Sequence, residues 1–128
     1  MQVISSKTTI FGIARVGYVD DVYEVYVNTN DEGNIPHFHF TDAKEWDKFH
    51  TCICIDKAAY FHHTGKEDVL NSSLRKSLQK FMTSPVKLKK LKDKFTSNWE
   101  LVCSMWDLNN SSMELDDIKQ PDYRELPD

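Results

Sequence analysis

The first part of the chain is rich in β-branched and aromatic residues, which favour β-strands. Two runs rich in β-branched and aromatic residues, at 8–16 and 22–27, predict two strands joined by a turn at 17–21. Successive side chains of a strand point to opposite faces of its sheet. The two runs therefore predict an antiparallel hairpin.

Residue patterns typical of strands occur in two further places. Residues 35–40 predict a strand that begins at Pro36 or lies at a sheet edge, because proline has no N–H to donate to a neighbouring strand. Residues 52–55 and 58–61 predict a second hairpin, with residues 56 and 57 at its turn. In total the pattern predicts four to five antiparallel strands.

After Gly65 the apolar residues recur with a period of about 3.6, which indicates helices. The first helix is predicted over 70–82, with Asn71, Ser72 or Ser73 as alternative N-caps. A second is predicted from Ser84 and Pro85 as far as Phe95, and a third follows a capping box formed by Ser97 and Glu100. The second half of the chain is therefore predicted to be helical.

Strands that are followed by helices, instead of alternating with them, favour the α+β class. We expect an antiparallel sheet of four to five strands that is covered on one face by two to three C-terminal helices. Residues 1–112 are expected to form this single domain. Residues 113–128 hold six acids and two prolines, and are expected to form an acidic, flexible tail.

Composition narrows the class of protein. The chain has 128 residues, 40% of them apolar, and a formal net charge of −4. A domain of this size buries enough surface to fold without a metal or a disulfide, so no cofactor is required for folding. No apolar run approaches the roughly 20 residues of a membrane span, and the first residues lack the apolar segment of a secretory signal. We therefore expect a cytoplasmic protein whose three cysteines are reduced.

Two histidines, His37 and His39, lie two residues apart on a predicted strand and therefore share one face. Such a pair can give two neutral nitrogens to zinc or to another divalent first-row metal, which then needs a third protein ligand. The candidates for further ligands are nearby residues with donor side chains: His50, Cys52, Cys54, His62, His63 and Glu45. The metal set that we single out comprises two cysteines and three histidines: His37, His39, His62, Cys52 and Cys54.

Alternative interpretations of these residues stay open. Cysteine is among the most often buried residue types, so Cys52 and Cys54 are also explained as small core residues, with the histidines on a solvated face. A thiolate activated by an imidazole is a nucleophile, so either cysteine is also a candidate catalytic group. A jelly-roll metal site of the cupin type is excluded, because Glu45 lies too far from His39 and a helical half does not fit that fold.

The order of these features resembles a family of small bacterial proteins of unknown function. The matching segments are a Pro-His-Phe-His strand, a following strand, a helix, and an Asn-Trp-Glu-Leu helix with a second tryptophan; they lie at 35–39, 52–55, 70–82 and 98–106. The resemblance covers roughly residues 20–108 and implies a compact strand–helix domain with histidines at the start of a strand. It also implies gene pairs that look like toxin–antitoxin systems.

Charge is distributed unevenly along the chain. Residues 75–94 carry eight cations and one acid, a net charge of +7, which leaves −11 for the rest. A lysine-rich helix can lie along phosphates and bind nucleic acid weakly, without reading its sequence. The alternative is the solvated face of an amphipathic helix, over which the acidic tail lies. The candidate partner-binding residues are one tryptophan in a polar loop and five lysines: Trp46, Lys87, Lys89, Lys90, Lys92 and Lys94.

Together these features predict a small cytoplasmic binding or interaction module of bacterial or phage origin, with a protein as its partner and no contact with a membrane. A metal-dependent enzyme with a His-x-His site is the alternative function. A weak, non-specific nucleic-acid binder is the second alternative.

Overall fold

A computed structural model describes residues 13–28, 35–62, 65, 67–110 and 118–128. Within these residues, four strands form one antiparallel sheet in which each strand pairs with its neighbour in sequence. Two α-helices and a short 3₁₀ helix follow, which confirms the α+β class. The elements, in chain order, are β1 (Ile13–Val19), β2 (Tyr23–Asn28), β3 (His37–Asp42), β4 (His50–Cys54), α1 (Ser72–Thr83), α2 (Asn98–Asn109) and the 3₁₀ helix (Tyr123–Glu125).

The turn between β1 and β2 lies at Asp20 and Asp21, whose φ angles of 54° and 55° are left-handed. Aspartate is one of the few residue types besides glycine that tolerate this region, and two such residues in succession suit the twist of a hairpin. The N–H of Val22 closes the turn by donating to the carbonyl of Val19 at 3.1 Å. β1 therefore continues to Val19, beyond the predicted end at residue 16, while residues 8–12 of the predicted strand lie outside the described residues.

Residues 58–61 run back along β4, as predicted, but they form only one isolated bridge, between Ile53 and Tyr60. Two backbone bonds accompany this bridge, from the N–H of Cys54 to the carbonyl of Ala59 and from the N–H of Phe61 to the carbonyl of Cys52. In the described part of the chain the sheet therefore has four strands, the lower number of the predicted range.

Both helices begin at polar caps. Of the three alternative N-caps of α1, Asn71 is the one used, and its side chain accepts the N–H of Leu74 at 2.8 Å. Ser97 caps α2 by accepting the N–H of Glu100. The carboxylate of Glu100 accepts the N–H of Thr96 at 3.1 Å, one residue before the cap. The predicted capping box is therefore present in a slightly longer form.

The helix predicted from Ser84 is not formed. Ser84 is the C-cap of α1, residues 89–94 form turns and residues 96–97 form a bend. The bond from the N–H of Lys92 to the carbonyl of Leu88 has helical spacing, but the pattern does not continue into a helix. Lysines at 87, 90 and 94 repeat with spacings of three and four, and like charges at those spacings destabilise a helix. The described residues therefore contain two α-helices.

The end of the chain packs against α1. Tyr123 and Leu126 are 0% and 3% exposed and belong to the core. The N–H of Tyr123 donates to the Gln79 side chain at 2.8 Å, and Arg75 donates to the Asp128 carboxylate at 2.8 Å. We predicted a flexible tail for 113–128. Residues 118–128 differ from that prediction because two apolar side chains are buried within an acidic sequence, whereas residues 113–117 lie outside the described residues.

The core joins the sheet to both helices. Phe38 and Phe40 are fully buried, and because side chains alternate along a strand, His37 and His39 lie on the opposite face. The same buried cluster contains residues from each helix and from the chain end, among them Leu78, Met82, Val102, Trp106 and Tyr123. β3 therefore holds two aromatic anchors in the core and two imidazoles on its other face.

In the described part of the chain, neither 12-residue helix has the length and apolar character that crossing a membrane requires.

Candidate metal centre

The pairing of β3 with β4 brings the predicted histidine and cysteine residues together. His39 lies opposite Cys52, and His37 lies opposite Cys54. Directly opposed residues of an antiparallel pair have their side chains on the same face, about 5 Å apart at Cβ. Thr41 lies opposite His50, so His50 reaches this face as well. The register of β3 and β4 therefore places the side chains of these residues on the same face of the sheet.

Three buried side chains form a group whose donor atoms all lie within 4.8 Å of one another: His37, His39 and Cys52. His37 and Cys52 are 0% exposed and His39 is 4% exposed. Buried imidazole and thiol groups at this separation are the ligand types that zinc and other first-row metals use. The group is a candidate metal site built from two neighbouring strands.

His50 extends this group at its outer side. Its Nε2 lies 3.0 Å from Nδ1 of His39 and 3.8 Å from Sγ of Cys52, and the same Nδ1 lies 3.4 Å from Sγ of Cys52. Tetrahedral zinc with bonds of about 2.05 Å to nitrogen and about 2.3 Å to sulfur separates two nitrogens by about 3.3 Å and a nitrogen from a sulfur by about 3.6 Å. The three separations, which in the structure are hydrogen-bond contacts, lie within about 0.3 Å of these values.

The ring nitrogens of His37 and His39 that face away from the group also have polar partners. Nδ1 of His37 donates to the carbonyl of Ile35 at 2.7 Å, so Nε2 is the ring atom through which His37 would bind a metal. Nε2 of His39 lies 3.1 Å from the side-chain amide of Asn28. That amide presents either its oxygen or its nitrogen after a rotation of its side chain. Metal-ligating histidines usually hold their second nitrogen in this way, which fixes the tautomer and the ring orientation.

Aromatic rings surround the imidazoles. Tyr26 stacks on His39 with ring centroids 4.8 Å apart, and Phe61 stacks on His37 at 4.4 Å. Trp106 of α2 lies 5.3 Å from His37. An apolar shell of this kind excludes water and lowers the local dielectric constant, which strengthens the attraction between a cation and a thiolate.

The same atoms also resemble a cysteine nucleophile with its base. Cys52 Sγ lies 3.4 Å from His39 Nδ1, and the Asn28 amide lies 3.1 Å from His39 Nε2, an order of thiol, imidazole and amide that some cysteine hydrolases use. A nucleophile must meet its substrate, however, and Cys52 is fully buried. Because Cys52 is buried, the group is better suited to binding a metal ion than to attacking a substrate.

The remaining predicted ligands lie elsewhere. His62 is exposed and pairs with Glu67 at 3.6 Å. Cys54 is buried on the same face as Cys52 but is not part of the group, and burial raises the pKa of its thiol. Glu45 is exposed in the loop before β4, and His63 lies outside the described residues.

The third cysteine, Cys103, is an apolar core residue. It lies in α2, it is fully buried, and burial raises the pKa of its thiol far above the ordinary value. For this residue the interpretation of cysteine as a small hydrophobe holds.

The predicted partner-binding residues are at the surface. Trp46 is 65% exposed and contacts the His50 ring edge-on, with centroids 5.8 Å apart. The five lysines are all exposed in the turns between α1 and α2, and none of them takes part in an ion pair with a described residue: Lys87, Lys89, Lys90, Lys92 and Lys94.

Asn28 and Trp106 belong to the site but are not among the candidates that the sequence predicts. Asn28 ends β2 on the face that Tyr26 and Glu24 share, and period-two alternation alone would have placed it there. Trp106 is a core residue of α2 that also contacts His37.

Comparisons of the chain with known protein families, with curated proteins and with solved structures give no match. The resemblance to a bacterial family stays a prediction. The fold and the cluster define an α+β protein with a buried imidazole–thiol group on its sheet, and the function is argued from that group.

Proposed function

We propose that this protein binds a transition-metal ion, with Zn²⁺ the favoured ion, through His37, His39, His50 and Cys52. The observation that carries the proposal is the set of separations between Nδ1 of His39, Nε2 of His50 and Sγ of Cys52, which are 3.0, 3.4 and 3.8 Å. His37, whose donor atom lies within 4.8 Å of those of His39 and Cys52, would supply the fourth ligand. Three imidazoles and one thiolate suit zinc, and the thiolate also suits Cu(I).

A metal with four protein ligands has no position left for a substrate, which is the arrangement of structural and ion-holding sites. The proposal therefore agrees with the prediction of a binding protein more closely than with that of a metal-dependent enzyme. Cys52 would bind the metal as a thiolate, so metal binding would release the thiol proton and would weaken as the pH falls.

The proposal is tested by loading untagged protein with zinc, removing weakly held zinc by dialysis and measuring the metal that remains. We expect one zinc ion per chain, bound by nitrogen and sulfur. The His62→Ala variant is the matched control, because it removes an exposed histidine outside the cluster, and it should retain the same amount of zinc.

A second candidate function is binding of polyanions by the lysine-rich turns at 87–94. The supporting observation is that its five lysines are exposed and form no ion pair with a described residue. Binding of this kind would be weak, and each neutralised phosphate would contribute about −0.9 to the slope of log K against log salt.

This second function predicts that the double variant K89S/K90S binds a fluorescent random-sequence duplex with a salt slope that is smaller in magnitude by about 2. Lys57→Ser is the control, because Lys57 is exposed but lies outside these turns. Fluorescence anisotropy over a range of salt concentrations measures the slopes. Equal slopes for the double variant and the wild-type chain, or tight binding that salt leaves unchanged, would contradict the prediction.

A further inference from the structure

The four proposed ligands differ in burial. His37, His39 and Cys52 are 0%, 4% and 0% exposed, and they lie within paired parts of β3 and β4. His50 is only partly buried, and it is the first residue of β4, directly after the loop that joins the two strands. Three ligands are therefore enclosed by the fold, and the fourth lies at the rim of the site.

The backbone of His50 is fixed even though its ring is at the rim. Its N–H donates to the Asp68 carboxylate at 3.0 Å, and its carbonyl accepts the N–H of Asp68 at 2.9 Å. This two-point contact holds the strand start in place. The His50 ring can leave a metal by rotating about its own side-chain bonds, and no strand has to separate.

The outermost layer over His50 is Trp46, which is 65% exposed and makes an edge-on contact with the His50 ring. Its loop is ordered at one end by Asp42, whose carboxylate accepts the N–H groups of Lys44 and Glu45 at 2.9 Å each. An exposed indole thus lies against the one proposed ligand that is only partly buried. A small molecule would approach the metal from this side.

We propose that His50 is an exchangeable ligand, and that the coordination position which it leaves accepts a small monodentate donor, either a nitrogen base or an anion. This inference rests on the proposed metal site. With His50 displaced, His37, His39 and Cys52 remain as three protein ligands beside one open position, which is the arrangement that catalytic zinc sites use. Release of His50 thus converts a site with four protein ligands into one that binds a small molecule at the open position.

The experiment uses the full chain loaded with Co²⁺, whose visible absorption reports the number and type of ligands. Wild type, His50→Ala and the control His62→Ala are each titrated with imidazole and, separately, with sodium azide. A tethered ligand competes at an effective concentration of about millimolar or more. We therefore expect azide to bind the His50→Ala protein at least about 10-fold more tightly than the wild type. Imidazole should restore a wild-type-like spectrum to the variant.

His62→Ala should behave as the wild type does in both titrations. His50→Gln, compared by circular dichroism, serves as a second variant should His50→Ala fold poorly. The inference alone is overturned if imidazole does not restore the spectrum of the variant, or if azide leaves the wild-type spectrum unchanged. A His50→Ala protein with the wild-type spectrum would overturn the inference and would also remove His50 from the proposed ligand set. A wild-type protein that holds no Co²⁺ would instead contradict the proposed function itself, so the two failures are distinguishable.

Discussion

Replacing Cys52 with serine is expected to weaken zinc binding by roughly 100- to 1,000-fold. Structural zinc sites bind with about 10–16 kcal/mol, which is about 2.5–4 kcal/mol for each of four ligands, and every 1.4 kcal/mol is a factor of ten. Serine retains the size of the side chain, but its hydroxyl stays protonated near neutral pH and is a poor ligand. Competition with a chromogenic chelator measures the affinity of both proteins.

Cys54→Ser is the matched control for this prediction. Cys54 lies two residues further along the same strand, is equally buried and is not part of the cluster. Its variant should keep zinc affinity within a few-fold of the wild type, at some cost in stability because a hydroxyl replaces a buried thiol. Equal losses of affinity in the two variants, or no loss in Cys52→Ser, would show that the proposed ligand set is wrong.

Asn28→Ala should give a smaller loss than Cys52→Ser, because Asn28 supports His39 without touching the metal. Partners of this kind typically account for about 10- to 100-fold in metal affinity. The ordering of the two losses therefore separates a ligand from a residue that orients one.

Tyr123→Ala is expected to lower the free energy of unfolding by about 3–5 kcal/mol, the usual cost of removing a large aromatic side chain from a core. Tyr123 is fully buried, and its ring meets Phe38 edge-on with centroids 5.6 Å apart. Its hydroxyl donates to the carbonyls of Cys54 and Ile55 at 3.3 and 3.1 Å. Tyr123 thus links the chain end to the last residue of β4 and to the residue that follows it. Urea unfolding followed by circular dichroism measures the loss.

Two variants separate the sources of this stabilisation. Tyr123→Phe should cost about 1–2 kcal/mol, because it removes only the hydroxyl and its hydrogen bonds. Arg124→Ala should leave the stability nearly unchanged, since Arg124 is exposed and its carboxylate partner, Asp122, lies on the same short segment. A loss below about 1 kcal/mol for Tyr123→Ala would contradict the packing of the chain end.

Alkaline pH provides a further readout for Tyr123. Burial raises the pKa of its phenol well above the ordinary value of 10.0. The folded state therefore keeps the proton where the unfolded state loses it, so this contribution to stability is present below about pH 10 and is lost as the pH rises further. The Tyr123→Phe variant should show a weaker alkaline loss than the wild type.

The sequence predicted well which side chains share a face of a strand. It predicted poorly which residues of neighbouring strands lie opposite each other. Alternation on β3 separated His37 and His39 from Phe38 and Phe40, and the structure keeps that separation. The register of β3 against β4 selected His50 and Cys52 as neighbours of His39, whereas His62 was set apart. Register depends on cross-strand packing and on the loop before β4, and a single sequence does not contain that information.

In two charged segments the structure differs from the prediction, in opposite directions. Between α1 and α2, an apolar stripe predicted a helix, but lysines at helical spacing repel one another and the segment forms turns. At the chain end, six acids suggested disorder, yet Tyr123 and Leu126 are buried in the core. Two well-placed apolar side chains can outweigh an acidic average composition, because burial of a single large side chain contributes about 1.5–3 kcal/mol.

The central claim, a metal held by three imidazoles and one thiolate, is tested most directly by zinc K-edge X-ray absorption of the zinc-loaded, untagged protein. The account predicts one zinc per chain with three nitrogen ligands at about 2.0–2.1 Å and one sulfur ligand at about 2.3 Å. A coordination shell of nitrogen and oxygen without sulfur, or a protein that retains no zinc after dialysis, would contradict it.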